Sequence, residues 1–493
     1  MASILRSSLI SVAATVASLV AGFASNIAVG RMLGPSGAGT VAFAIWVATS
    51  ASAIADIGMP QTLLRTIGGS QGRGENWKGL VHRGFRAFLV SVPLVGAAIL
   101  ACALILGRSD PAAGWVWAVT AAVFASYAFA AFSTAVARGR DRFGETAIST
   151  VIGGLIQVPL VLLGAWFWGA AGALIGHVAR YLPQALRIQG YVRTPARPFT
   201  PEMRVYGRNM WLSDLVEIMV LSRIEFLFLG LFFASAQIGY FAAGLALAGL
   251  IEQLALQISP ALIVGFADAH ARGDRAALES AYQRVIRVTA LIILPVSLGG
   301  AAIMPALLPI IFGHLFGPAV PAAVILMAFV WPAALCVIPW GLISAVGHSH
   351  QILRVQLLSG LFTVLVLLAI VPWGGLEGAA WSRAAIGVLT FAVLAGIARK
   401  HGRVSVPWRA LVNNLIAAAL CGLAALVPVL MLGGLAGIAI ALVAGALVYA
   451  IAVRLLGLVE AGEAAALVEG IAVRLPARTR PLVSGLFALI APR

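Results

Sequence analysis

Apolar runs long enough to cross a bilayer recur along nearly the whole chain, separated by short polar stretches. A crossing needs ~20 predominantly apolar residues. On that measure the pattern predicts about fourteen helices, centred near Leu19, Trp46, Val95, Phe124, Leu155, Ile175, Leu221, Leu250, Ile293, Phe329, Leu365, Leu389, Leu420 and Leu442. Two turns are tight, at 166–169 and at 372–375, yet merging either pair of runs leaves a segment too long for one crossing.

The seventh run, 206–240, departs from this pattern because it carries Arg208, Asp214, Glu217, Arg223 and Glu225. An ionisable residue near the bilayer centre costs at least ~2.5 to 3.5 kcal/mol, so such groups face water or a partner. Asn209, Ser213 and Glu217 fall at i, i+4 and i+8 on one helix face, while Phe226, Phe228, Leu229 and Phe232 offer lipid an apolar surface. The run reads as the wall of a polar cleft; the alternative is a helix whose charges pair with a neighbour.

Composition agrees with the pattern: 61% of residues are hydrophobic and 10% charged, with a mean hydropathy of +1.01. The gaps between runs leave no room for a sizeable soluble domain, so an all-α polytopic membrane protein is expected. The net charge of +16 would suggest nucleic acid in a soluble chain. Here the basic residues alternate with the runs, so no nucleic-acid partner is expected. They follow even-numbered spans, as Arg65, Arg73, Lys78, Arg83 and Arg86, then Arg138, Arg140 and Arg142, then Arg187, Arg193, Arg197, Arg204 and Arg208. The series continues with Arg272, Arg275, Arg284 and Arg287, then Arg354, then Arg399, Lys400, Arg403 and Arg409, whereas odd-numbered connections carry little beyond Arg31 and Arg108. By the positive-inside rule both termini are cytoplasmic. The run after Arg6 is too long for a cleaved signal and reads as a retained first span. The tail 457–493 reads as a cytoplasmic amphipathic helix. Cys102, Cys336 and Cys421 fall in apolar runs without metal or redox spacing. No metal, triad or nucleotide motif appears, so neither an enzyme nor a cofactor is expected.

An offset of about 200 residues brings several features into register. Gly39 to Ala44 match Gly239 to Gly244, Pro60 meets Pro260, and Pro93 lies close to Pro295. A six-plus-six repeat follows, parallel because six is even, with a cleft between two lobes. The expected organisation is a six-helix lobe over 1–200, a second over 201–400, two additional C-terminal helices over 401–456, and the tail. Ser7, Ser11, Thr15, Ser18, Gly22 and Ser25 step along one side of the first span. That stripe fits either close packing through small residues or a cavity lining.

Several segments carry a family resemblance: Arg31 to Gly39 after the first span, Asp56, Ile57 and Gly58 with Pro60, Arg223 to Glu225, and Gly239 with Tyr240. The loop from Ala271 to Tyr282 and Phe312, Gly313 and Phe316 add to it. The chain resembles bacterial polysaccharide-lipid flippases of the multidrug, oligosaccharidyl-lipid and polysaccharide exporter superfamily. The resemblance spans roughly residues 1–400 through short degenerate motifs. It implies two six-helix lobes around a central cavity, a polyprenyl-diphosphate-linked oligosaccharide substrate and a place in the bacterial inner membrane. A diphosphate crossing hydrocarbon needs fixed cations, and a guanidinium holds phosphate in bidentate fashion. Arg223 leads the candidates, with Arg31, Arg180 and Arg383. The carboxylates of Asp56, Asp214, Glu217, Glu225 and Glu252 are suited to balancing those cations, binding a coupling Na+ or H+, or accepting from sugar hydroxyls. His177 is a further titratable group. Polysaccharide polymerase machinery is a possible partner, beside membrane lipids. The rival readings are a lipid II flippase, a cation-coupled drug exporter, and a membrane glycosyltransferase or polymerase. The last needs outward carboxylates, and only Asp110 and Glu377 qualify.

Overall fold

Left-handed glycines divide the longest helices at the expected turns. The structure, a computed structural model, describes residues 2–72, 77–190 and 198–459; the expected amphipathic helix beyond 459 lies outside them, as do Arg73, Arg193 and Arg197. The described chain is helical throughout: α1 (Ala2–Asp56), α2 (Met59–Gly72), α3 (Trp77–Leu106), α4 (Pro111–Gly139) and α5 (Phe143–Ala185) come first. Then follow α6 (Pro201–Leu215), α7 (Glu225–Phe232), α8 (Ser235–Leu256), α9 (Ser259–Ala271), α10 (Arg275–Phe312) and α11 (Val320–Ala328). The series ends with α12 (Val330–Leu335), α13 (Val337–Ala345), α14 (Ser349–Gly402), α15 (Trp408–Leu432) and α16 (Gly434–Leu455).

Among the described residues, ten helical segments are long and apolar enough to cross a membrane. Three of them, of 43, 46 and 53 residues, would each run ~65 Å or more if straight, about twice a bilayer core. Each contains two of the expected spans and a non-helical glycine between them: Gly34, Gly169 and Gly375. At the second the chain folds back on itself. A Cβ on Gly164 would lie 2.1 Å from Gly172 O, and one on Gly153 would lie 2.1 Å from Arg180 O. Large rings sit near the second and third of these turns: Trp166, Phe167 and Trp168 are exposed, and Trp373 is 92% exposed. Aromatic side chains of this kind anchor at the membrane interface.

Element breaks recur at the repeat offset. The chain leaves α1 before Met59-Pro60 and leaves α8 before Ser259-Pro260. The glycine turns of α5 and α14 have nearly the same dihedrals, φ 57°, ψ −136° at Gly169 and φ 52°, ψ −133° at Gly375. Helix starts are fixed locally: Asp110 Oδ1 accepts from the Ala112 N–H at 2.9 Å ahead of Pro111, and Asp274 Oδ1 accepts from the Ala277 N–H at 2.9 Å. Both are N-caps.

Two compact units form. One comprises Met1–Ala246 with Gln356–Ala379, the other Leu247–Val355 with Ala380–Arg493. The first is centred on Phe88, Phe124 and Phe132, with the rings of Phe88 and Phe132 4.8 Å apart. Its tightest crossing joins α1 to α8: a Cβ on Gly39 would lie 1.8 Å from Ser235 O, and one on Gly239 would lie 1.9 Å from Pro35 O. The hydroxyls of Ser36 and Ser235 are 2.8 Å apart there. Such contacts let membrane helices approach at backbone distance. The second unit is built on α10, whose Tyr282, Ile286, Ala290 and Leu294 are buried with Leu335, Ile338 and Leu342.

Candidate functional site

Polar groups of the first unit gather where α1 ends. Asp56 Oδ1 accepts from the Gly58 N–H at 2.8 Å, across a turn in which Ile57 has φ 48° and Gly58 φ 71°. A β-branched residue in the left-handed region is strained, and such strain clusters at functional positions. Gly58 has a second reason to lack a side chain, since a Cβ would lie 2.1 Å from Gly207 O of α6. That approach brings in two α6 side chains: Trp211 Nε1–H donates to Ala53 O at 2.8 Å, and Asp214 Oδ2 accepts from Gln61 Nε2 at 3.3 Å.

Arg180 lies on the second arm of α5. Its guanidinium donates to Gln157 Oε1 at 3.0 Å and to the Ser18 hydroxyl. It runs past Gly22, where a Cβ would come 3.3 Å from Nη1. The stripe on the first span therefore divides: Ser18 and Gly22 seat the arginine, while Ser25 is buried and donates back to Ala21 O at 2.8 Å. Ser7 and Ser11 fall outside the residues whose side chains are described. Gln157 Nε2 in turn donates toward Nδ1 of the buried His177, 3.4 Å away. All the polar partners of Arg180 are neutral, and no carboxylate pairs with it among the described residues. Its guanidinium is 5.6 Å from the Tyr181 ring, which meets Tyr127 edge-on at 5.0 Å. Tyr127 lies within electrostatic reach of Asp56, Arg180 and Asp214. Arg180, Tyr181 and Tyr127 thus form one cluster.

The charged seventh run is interrupted in the structure. After α6 it widens into a π-helix, Val216–Ser222, and breaks at Arg223, with φ −154° and ψ 34°, before α7 begins. π-segments are rare and concentrate at functional sites. Of the expected polar face, Ser213 and Glu217 share one clamp: the Ser213 hydroxyl meets Gln356 Oε1 at 2.8 Å, and Gln356 Nε2 donates to Glu217 Oε2 at 3.2 Å. Of the side chains expected to face lipid only Phe232 is exposed; Phe226, Phe228 and Leu229 are buried in the packing of α7. Arg223 is exposed with its guanidinium 5.9 Å from the Phe226 ring centre, and Glu225 is buried at the start of α7. Arg31 is exposed just before the Gly34 turn. In the second unit, Arg383 and Glu252 face each other at 3.8 Å, each about a quarter exposed.

A family model described as polysaccharide biosynthesis protein matches residues 28–321, more than half of the chain. The chain belongs to this family. No curated protein matches the chain in sequence. Among solved structures, lipid II flippase MurJ in an inward closed conformation superposes with a TM-score of 0.70, over 91% of this chain and 98% of that one, at 12% identity. An inward-facing multidrug resistance MATE family transporter of the MOP superfamily gives 0.64, over 80% and 98%, at 15% identity. A MOP superfamily transporter from Pyrococcus furiosus, described as having a binding pocket of reverse polarity, gives 0.59, over 81% and 95%, at 15% identity. At these identities the likeness is one of fold. The chain has the fold of these MOP superfamily transporters.

The matched segment includes every candidate residue except Arg383. The residues that pattern reading missed are Tyr127, Tyr181, Gln157, Gln61 and Gln356. Gln157 is a lone polar group in an apolar run, a signal that could have marked it, whereas Gln61, Tyr181 and Gln356 stand beside other polar residues. The Arg383–Glu252 pair carries a direct test. Glu252→Gln is expected to destabilise the detergent-solubilised protein by about 1 kcal/mol, and the charge-swapped double variant to recover most of it. Equal melting of the single and double variants would remove the coupling.

Proposed function

We propose that the chain is a flippase that moves polyprenyl-diphosphate-linked oligosaccharide repeat units from the cytoplasmic to the outer leaflet of the bacterial inner membrane. The units would serve O-antigen, capsule or exopolysaccharide assembly. The observation that carries this reading is Arg180, a cation among spans whose polar partners among the described residues are all neutral. Keeping such a charge in an apolar environment is costly, and an anionic group arriving with the substrate offsets that cost. A diphosphate answers the guanidinium with charge-assisted, bidentate hydrogen bonds.

The surroundings fit the rest of the head group. Tyr127 and Tyr181 offer ring faces and edges for the C–H surfaces of a sugar, and Asp56 and Asp214 accept from its hydroxyls. The same two carboxylates are suited to bind a coupling Na+ or H+. Arg223 and Glu217, at the irregular seventh span, provide further polar contacts along the path, while the prenyl tail stays in lipid. Rocking of lobe 1–200 against lobe 201–400, with both termini cytoplasmic, supplies alternating access. A polysaccharide polymerase would then consume the product outside.

Reconstitution tests the reading. Full-length protein in liposomes is expected to expose a fluorescent polyprenyl-diphosphate saccharide on both leaflets within minutes, while protein-free liposomes keep it on one. Efflux of a cationic dye with no movement of the saccharide would replace the flippase by a drug exporter.

A further inference from the structure

Three imidazoles meet at the two ends of α14, in the second unit. His348 precedes the helix, His350 is in its first turn and His401 in its last. The rings of His348 and His401 are 4.2 Å apart, and those of His348 and His350 are 5.7 Å apart. Gln351 Nε2 lies 3.1 Å from His350 Nε2. Lys400 and Arg399 in the last turn, Arg403 just beyond it and Arg354 one turn along from His350 add positive charge. None of these groups pairs with a carboxylate among the described residues.

Helix electrostatics explains only half of this. Arg399, Lys400 and His401 complement the negative end of α14, as cations at a C-terminus do. His348 and His350 stand at the positive end of the same helix, where a cation is disfavoured, and His348 makes no side-chain capping bond. The fold at Gly375 returns the last turn of α14 to its first, and with it a second set of cations. Two imidazolium rings in contact repel one another. An anion between them reverses the sign.

We propose that His348, His350 and His401, with Lys400, form a proton-linked site for a phosphate group. Its source is either the head group of an anionic phospholipid or a free phosphate ion. The face carrying the basic loops is where such head groups collect. The site gains affinity as the imidazoles acquire protons, because their charges then repel one another less with the phosphate in place. A phosphodiester keeps one negative charge through this pH range, so its pH dependence reports the histidines alone.

The test uses the full-length protein in neutral detergent and reads binding, independent of any transport. Phosphatidylglycerol from mixed micelles and inorganic phosphate are titrated separately at about pH 6 and about pH 8, either side of the ordinary imidazole range. Saturable binding of phosphatidylglycerol at least about tenfold tighter at the lower pH, and lost in H348Q/H401Q, supports a lipid site. Saturable binding of phosphate alone, again lost in the double variant, supports a free-anion site. Should the double variant fail to fold, His350→Gln at an exposed ring is expected to weaken binding by itself. No saturable binding of either ligand, or equal affinity in the protein and its folded histidine variants, overturns the proposal.

Discussion

Replacing Gly39 by leucine is expected to split the crossing of α1 and α8 and leave little folded protein. Even the first added carbon would lie 1.8 Å from Ser235 O and 2.8 Å from Gly239 N. Both are backbone atoms, so no side-chain rotation makes room. Overpacking of a well-filled site costs typically ~1 to 3 kcal/mol when neighbours can shift, and here whole helices must part. Gly39→Ala is therefore expected to lower the temperature at which the solubilised protein aggregates, and Gly39→Leu to abolish the monodisperse peak. Gly249→Ala, where an added carbon finds nothing within 4 Å, is the matched control. An unchanged profile for Gly39→Ala would mean that the crossing slides rather than locks.

Arg180→Gln is expected to reduce translocation of the prenyl-diphosphate saccharide by roughly a hundredfold, with the protein still folded. Two charge-assisted hydrogen bonds to phosphate are worth ~1.5 to 3 kcal/mol each, and ~1.4 kcal/mol is tenfold. Glutamine retains hydrogen-bonding capacity toward Ser18 and Gln157, which separates loss of charge from loss of packing. Arg180→Lys should recover only part of the rate, because an ammonium cannot reproduce the planar fork. Initial rates in liposomes, at matched protein density, measure this. A wild-type rate in Arg180→Gln would transfer the phosphate to another cation, with Arg223 next to be replaced.

The fold was legible where a single physical requirement dominates. Bilayer thickness alone places two spans in each of α1, α5 and α14, and the chain turns at Gly34, Gly169 and Gly375, the last two within the stretches expected from length. The repeat shows in Pro60 and Pro260 because proline is tolerated in a first helical turn and marks where each helix restarts. Side-chain partnerships were less legible, since they depend on which helices become neighbours. Arg383 and Glu252 could be named as candidates from their burial cost, but their pairing needed the packing of the second unit. Tyr127 and Tyr181 were invisible because a tyrosine in an apolar run satisfies the hydrophobic pattern. The π-helix at Val216–Ser222 has no periodicity signal of its own; charges in the run showed only that something there was irregular.

The α1–α8 crossing pairs residue 35 with 239 and residue 39 with 235, positions that the repeat offset makes equivalent. Were the two halves separate identical chains, this would be an isologous interface, each half presenting the same patch to the other about a two-fold axis. Any change at one position would then appear on both sides of the contact at once. In a single polypeptide that constraint does not bind the surrounding residues, and Pro35 and Ser235 differ. The glycines at 39 and 239 are alike because each faces the other half's backbone, which no side-chain substitution reshapes.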